Sequence, residues 1–139
     1  MLFKNINDIF EIVPPVSCDG INNRQLPPAE QMYFKVYGVN IVDKDNLDIQ
    51  STLDRNRLTP EKAMEEYHKR LCGLVREKFV SLHNYFIETP DGLRAVTDFD
   101  EFRQIAPPEL VQWLFSVIMS GEALSAAERK NFSLESASA

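Results

Sequence analysis

Apolar side chains recur along this chain with two different periods, and the changes of period mark its elements. Ile9-Phe10-Glu11-Ile12-Val13 and Met32-Tyr33-Phe34-Lys35-Val36-Tyr37 are rich in β-branched and aromatic residues, and Pro14-Pro15 and Gly38 stop them. They predict two strands that pair as a small antiparallel ribbon. Between them, Ser17-Cys18-Asp19-Gly20-Ile21-Asn22-Asn23 and Leu26-Pro27-Pro28 make a long, polar, turn-rich loop. Loops of this length are commonly functional or mobile, which makes it a candidate contact arm.

From Asp43 to Leu58 the apolar residues Leu47 and Leu53, with Ile49 between them and acids at the start, predict a short helix. Thr59-Pro60 then supplies a cap and a first-turn proline. After it Ala63, Met64, Tyr67, Leu71, Leu74, Val75 and Leu82 recur at helical steps, predicting a long helix with one buried face that runs to about His83. Glu65 with Lys69 and Glu66 with Arg70 are charge pairs for its solvent side.

Tyr85-Phe86-Ile87 and Leu93-Arg94-Ala95-Val96 flank Thr89-Pro90-Asp91-Gly92, a turn signal that predicts a hairpin. Thr97-Asp98-Phe99-Asp100 opens a short helix with threonine as the expected cap, and Pro107-Pro108 ends it and starts another. Gly121 stands as a C-terminal cap residue, Ser125-Ala126-Ala127-Glu128 as a capping box for a last short helix, and the tail from Phe132 is expected to fray.

The sum is a mainly α (α+β) fold, a helical domain with a small N-terminal β-ribbon and a short β-hairpin. At 139 residues it is expected to be a single domain. Within it, residues 1–38 make the strand-loop-strand arm, 39–131 the helical core and 132–139 the frayed tail.

Charge narrows the partners. Fifteen Lys and Arg against 21 Asp and Glu give a net charge of -6, and the densest basic stretch, Lys69-Arg70 with Arg76 and Lys78, is interleaved with Glu65, Glu66 and Glu77. A phosphate backbone would be repelled, so nucleic acid is not an expected partner. Two cysteines, Cys18 and Cys72, do not make a disulfide framework, and the first residues lack a signal-peptide layout, so a reducing cytoplasm is expected. No apolar run approaches the roughly 20 residues of a spanning helix, so no membrane is expected either.

The chemistry of the chain is sparse. His68 and Cys72 are four residues apart on one helix, but neither Cys18 nor His83 has the local pairing of a structural zinc site. Asp43-Lys44-Asp45-Asn46-Leu47-Asp48 opens like a calcium loop and then fails it, with Asp48 in place of the glycine and Asp54 in place of the closing glutamate. Asp98, Asp100 and Glu101 form the densest acidic set, which a capped helix start explains without catalysis. No phosphate loop, GxSxG elbow or HExxH occurs. No enzyme, metal or cofactor is expected.

The helix from Pro108 to Ser120 carries more apolar surface than one packed face requires. Leu110, Val111, Trp113, Leu114, Phe115, Val117, Ile118 and Met119 cover about 240° of its circumference at about 100° per residue. Such a helix must be covered on several sides, by its own domain or by another protein. Leu110, Trp113, Leu114, Val117 and Ile118 are therefore the candidate partner-binding residues, and core is the competing reading, favoured for Trp113 and Phe115. Self-association stays open.

The C-terminal half also resembles a known family. Pro90-Asp91-Gly92, Val96-Thr97-Asp98-Phe99-Asp100-Glu101-Phe102, Ala106-Pro107-Pro108-Glu109-Leu110-Val111, Ile118-Met119-Ser120-Gly121 and Leu124-Ser125-Ala126-Ala127-Glu128-Arg129-Lys130-Asn131 are similar to the tail assembly chaperones of long-tailed bacteriophages. Pro28-Ala29-Glu30-Gln31-Met32-Tyr33-Phe34-Lys35-Val36 resembles that family's early strand. The resemblance implies a protein of the host cytoplasm that coats the tape measure protein and brings tail tube protein to it. It would act by reversible docking of apolar helix faces, without cofactor or nucleotide. The alternative is a small acidic phage- or plasmid-encoded inhibitor of a host complex, whose acids would gather on one face to mimic nucleic acid.

Overall fold

A three-stranded antiparallel sheet floors the core in the computed structural model, which describes residues 9–120. Strand β4 (Tyr33–Tyr37) is central, with β1 (Ile9–Ile12) on one side and β5 (Phe79–His83) on the other. Alternation sends Phe10, Ile12, Phe34, Val36 and Leu82 into the core. It leaves Glu11, Lys35, Ser81 and His83 on the outer face, only half-buried. Pairing of β4 with β5 shifts between Lys35 and Val36, so Lys35 opposes Ser81 while Val36 opposes Phe79.

This sheet corrects the expected fold class. Among the described residues there are four α-helices and seven strands in three small sheets, so the fold is α+β and not a helical domain with a ribbon attached. The N-terminal strands do not stand as a ribbon of their own. They are two thirds of a sheet completed by Phe79-Val80-Ser81-Leu82-His83, which the helical spacing assigned to the end of the long helix. Leu82 lies seven residues after Val75, a step that suits a helix, yet the segment is rich in strand formers and Leu82 points inward by strand alternation. Pairing β4 on both edges decides the matter, because an open edge beside Phe34 and Val36 would leave backbone groups unpaired next to the core.

The long loop is tied to its flanking strands by turns and side-chain hydrogen bonds. Cys18-Asp19-Gly20-Ile21 forms a tight hairpin turn, with φ of 53° at Asp19 and 78° at Gly20, joining β2 (Ser17–Cys18) to β3 (Ile21–Asn22). A short 3-10 turn, Asn23–Gln25, follows. The buried Asn23 amide donates to the carbonyls of Pro14 (3.1 Å) and Met32 (2.8 Å), and its Oδ1 accepts from the Met32 N–H (2.8 Å). Gln31 donates to the carbonyls of Arg24 and Leu26, and Arg24 Nε donates to that of Val13.

Helix α1 (Ile41–Arg57) starts at a capping box in which Asn40 and Asp43 satisfy each other's backbone N–H, two residues before the expected start. Helix α2 (Pro60–Lys78) has Thr59 as its cap. The two form a hairpin held at both ends. Near its tip the fully buried Asp54 accepts from Arg70 and, at 3.4 Å, from Arg57; at the open end Lys78 meets Asp43 at 3.0 Å.

Strands β6 (Phe86–Thr89) and β7 (Gly92–Ala95) pair across the Pro90-Asp91 turn, where Gly92 takes a φ of 116°. Asn84, left-handed at φ 60°, donates to the carbonyls of Ala29 and Gln31 and so ties this segment to the long loop. Helix α3 (Phe99–Ile105) is capped by Asp98, not by Thr97, and α4 (Pro108–Ser120) closes the core. Phe34 sits at its centre, with the rings of Phe102, Phe79 and Trp113 at 5.2, 6.1 and 6.2 Å. The expected cap at Gly121, the last short helix and the frayed tail lie outside the described residues.

Candidate docking surfaces

The greasy helix is spent on the protein's own core. Leu110, Leu114, Val117 and Ile118 are buried in one cluster with Phe10, Phe34, Val36, Val75, Val96 and Phe102, and half-buried Trp113 lies against Phe34. On the other side Phe115 stacks on Phe99 at 6.2 Å. Sheet, α2 and α3 thus cover the wide apolar arc, and in this fold those four residues present no docking face. Leu114→Ala is expected to lower the unfolding free energy by about 2 to 5 kcal/mol in denaturant titration. An unchanged midpoint would mean that α4 is dispensable to the core.

The candidate chemical groups are each used structurally. Asp98 accepts from the Glu101 N–H at 2.9 Å, Asp100 is bridged by Arg76 at 2.6 and 3.2 Å, and Glu101 meets Arg94 at 2.5 Å. The hydrogen bond and charge of Asp100 raise the Arg76 pKa further above its ordinary value. Cys72 is buried while His68 is exposed and edge-on to Tyr67. No group of three or more His, Cys, Asp or Glu able to hold a metal occurs among the described residues. Asp43 to Asp54, the stretch resembling a calcium loop, is continuous α-helix, so its carboxylates cannot converge as that loop requires. His83 stacks on Tyr33 at 4.6 Å and shares a 2.7 Å hydrogen bond with Ser81 on the outer face of the sheet.

The ion-paired acids are spread over four elements: Glu11 on β1, Asp43 and Asp54 on α1, Glu66 on α2, and Asp100 and Glu101 on α3. Acids paired in this way offer little bare negative charge with which to mimic a phosphate backbone.

The unused apolar surface is elsewhere. On α1, Ile41 is 69% exposed, Val42 60%, Ile49 56% and Leu53 45%, while only Leu47 and Asp54 of that helix are buried. At about 100° per residue Val42, Ile49 and Leu53 fall within roughly 40° of one another, some 120 to 140° from Leu47 and Asp54. A second patch lies on the β6–β7 hairpin, where Phe86 and Leu93 are exposed on the same face of the ribbon. The α1 stripe is visible in the sequence as the spacing i, i+7, i+11 of Val42, Ile49 and Leu53, whereas Leu47 lies about 120° from Leu53.

No family model, curated protein or solved structure matches the chain. No helix among the described residues is long and apolar enough to cross a membrane.

Proposed function

We propose that this protein acts by binding another protein, as a tail assembly chaperone that holds the tape measure protein of a long-tailed bacteriophage in the host cytoplasm. Tail tube protein is the second proposed client, and no step of the activity is catalytic. The family reading rests on the words from Pro90-Asp91-Gly92 to Leu124-Ser125-Ala126-Ala127-Glu128. The observation that carries the binding reading is the aligned, exposed stripe of α1, for which the fold itself has no use.

A chaperone of this kind needs apolar surface accessible in its folded state and enough charge to keep the loaded complex in solution. Val42, Ile49 and Leu53 supply the first, and a net charge of -6 the second. The surface that serves the client is in this reading α1, because α4 is occupied inside. Co-expression with the long, helix-rich product of the neighbouring reading frame is expected to keep that product soluble and to yield a complex that survives size exclusion. A client that precipitates as it does alone, with no complex formed, would end this reading.

A further inference from the structure

Deepening that reading, we propose that the outward stripe of α1 docks an amphipathic helix whose polar margins carry lysine and arginine. Val42, Ile49 and Leu53 span about 16 Å at about 1.5 Å per residue, the reach of three turns of a facing helix. That is the length over which helix-in-groove partners place their i, i+3 or i+4, and i+7 anchors.

The charge beside the stripe selects the partner. Asp45 and Asp48 are both exposed along one margin, and Asn46, Thr52 and Asn56, also exposed, make up most of the rest. The helix's other acids, Asp43 and Asp54, are already paired with Lys78 and with Arg70 and Arg57. Of the basic residues near its end, Arg55 lies about 140° around the helix from the centre of the stripe, and Arg57, past the far end of the stripe, is paired with Asp54. The charge at the margin left to meet a partner is therefore acidic. A second copy would set Asp45, Asp48 and a further net charge of -6 against their like, and an anionic lipid surface would be repelled in the same way. A basic-rimmed helix gains at both the apolar centre and the margin.

The test uses the full chain and two synthetic peptides of about 20 residues. Both have leucines on one helical face; one has lysine margins and the other glutamate margins. Backbone amide shifts of the isotope-labelled protein locate binding, and titration gives its strength. The lysine-rimmed peptide is expected to bind saturably with shifts centred on Val42, Ile49 and Leu53, and at least about tenfold more tightly than the glutamate-rimmed one. Ile49→Ser with Leu53→Ser is expected to weaken it by about tenfold or more at an unchanged melting temperature. Asp45→Asn with Asp48→Asn should weaken it severalfold, an effect that disappears at high salt.

Any of four results would overturn the inference: no saturable binding, shifts that map elsewhere, equal binding of the two peptides, or a wild-type dimer that Leu53→Ser converts to monomer. The co-expression experiment separates the two claims. A client kept soluble with no peptide bound at α1 removes this inference alone; peptide bound at α1 with an unassisted client removes the chaperone reading alone.

Discussion

Replacing Asn23 by aspartate is expected to lower the free energy of unfolding by about 3 to 5 kcal/mol. Asn23 satisfies three main-chain groups at once: its amide donates to the carbonyls of Pro14 and Met32, and its oxygen accepts from the Met32 N–H. Those bonds hold the loop in front of β4, whose Phe34 and Val36 are fully buried. Each buried group left unpaired costs about 1 to 3 kcal/mol, less where water can enter. Alanine removes all three partners. Aspartate keeps the acceptor but sets a charged oxygen against two carbonyl oxygens, which is worse.

The sign with pH follows. Burial beside two carbonyls raises the new carboxyl's folded pKa above its unfolded value, because the protonated form can donate to one of them. The aspartate variant therefore recovers stability as the pH falls and loses it as the pH rises through the folded pKa. Urea titrations at neutral and acidic pH read both effects. A midpoint within error of wild type at neutral pH would show that the loop is not held by this residue.

The clasp of the helical hairpin is the second large effect. Asp54 is 1% exposed and accepts from Arg70, which is itself partly open to solvent, and more weakly from Arg57. Arg70→Met strands a buried carboxylate, at an expected cost of about 3 to 5 kcal/mol. Asp54→Leu combined with Arg70→Met removes the charge as well as its partner, and is expected to restore most of that loss, because a buried ion pair seldom outperforms apolar residues of similar size. A double-mutant cycle in denaturant measures the coupling. If the double variant is no more stable than Arg70→Met alone, the stranded carboxylate is not the source of the loss.

Local signals in the sequence located the elements whose punctuation is local. Pro90-Asp91-Gly92 marks the β6–β7 turn, Thr59-Pro60 the start of α2, and the Pro107-Pro108 pair the start of α4. What stayed hidden depends on partners distant in sequence. Phe79–His83 forms a strand because β4 offers it an edge some 45 residues earlier, and no local pattern states that. Asp19-Gly20 is a hairpin signal that was legible and was absorbed into the loop. Asn23 looked like an ordinary loop polar residue until Pro14 and Met32 were brought to either side of it.

The same distinction separates the two apolar helices. For α4, the width of the apolar arc established that it must be covered on several sides, but not by what. The answer is the sheet, α2 and α3, which bury Leu110, Leu114, Val117 and Ile118 and leave Trp113 half-buried against Phe34. For α1 the reverse holds. Its apolar residues predicted only a short helix, and in the structure most of them are exposed, although it packs closely against α2.

The most direct test of this account compares wild type with the Ile49→Ser, Leu53→Ser variant in co-expression with the helix-rich client. Both proteins are expected to share one melting temperature, since neither residue is in the core. Wild type is expected to hold the client in solution and the variant to let it precipitate. A variant that protects the client as well as wild type does would contradict the assignment of docking to α1.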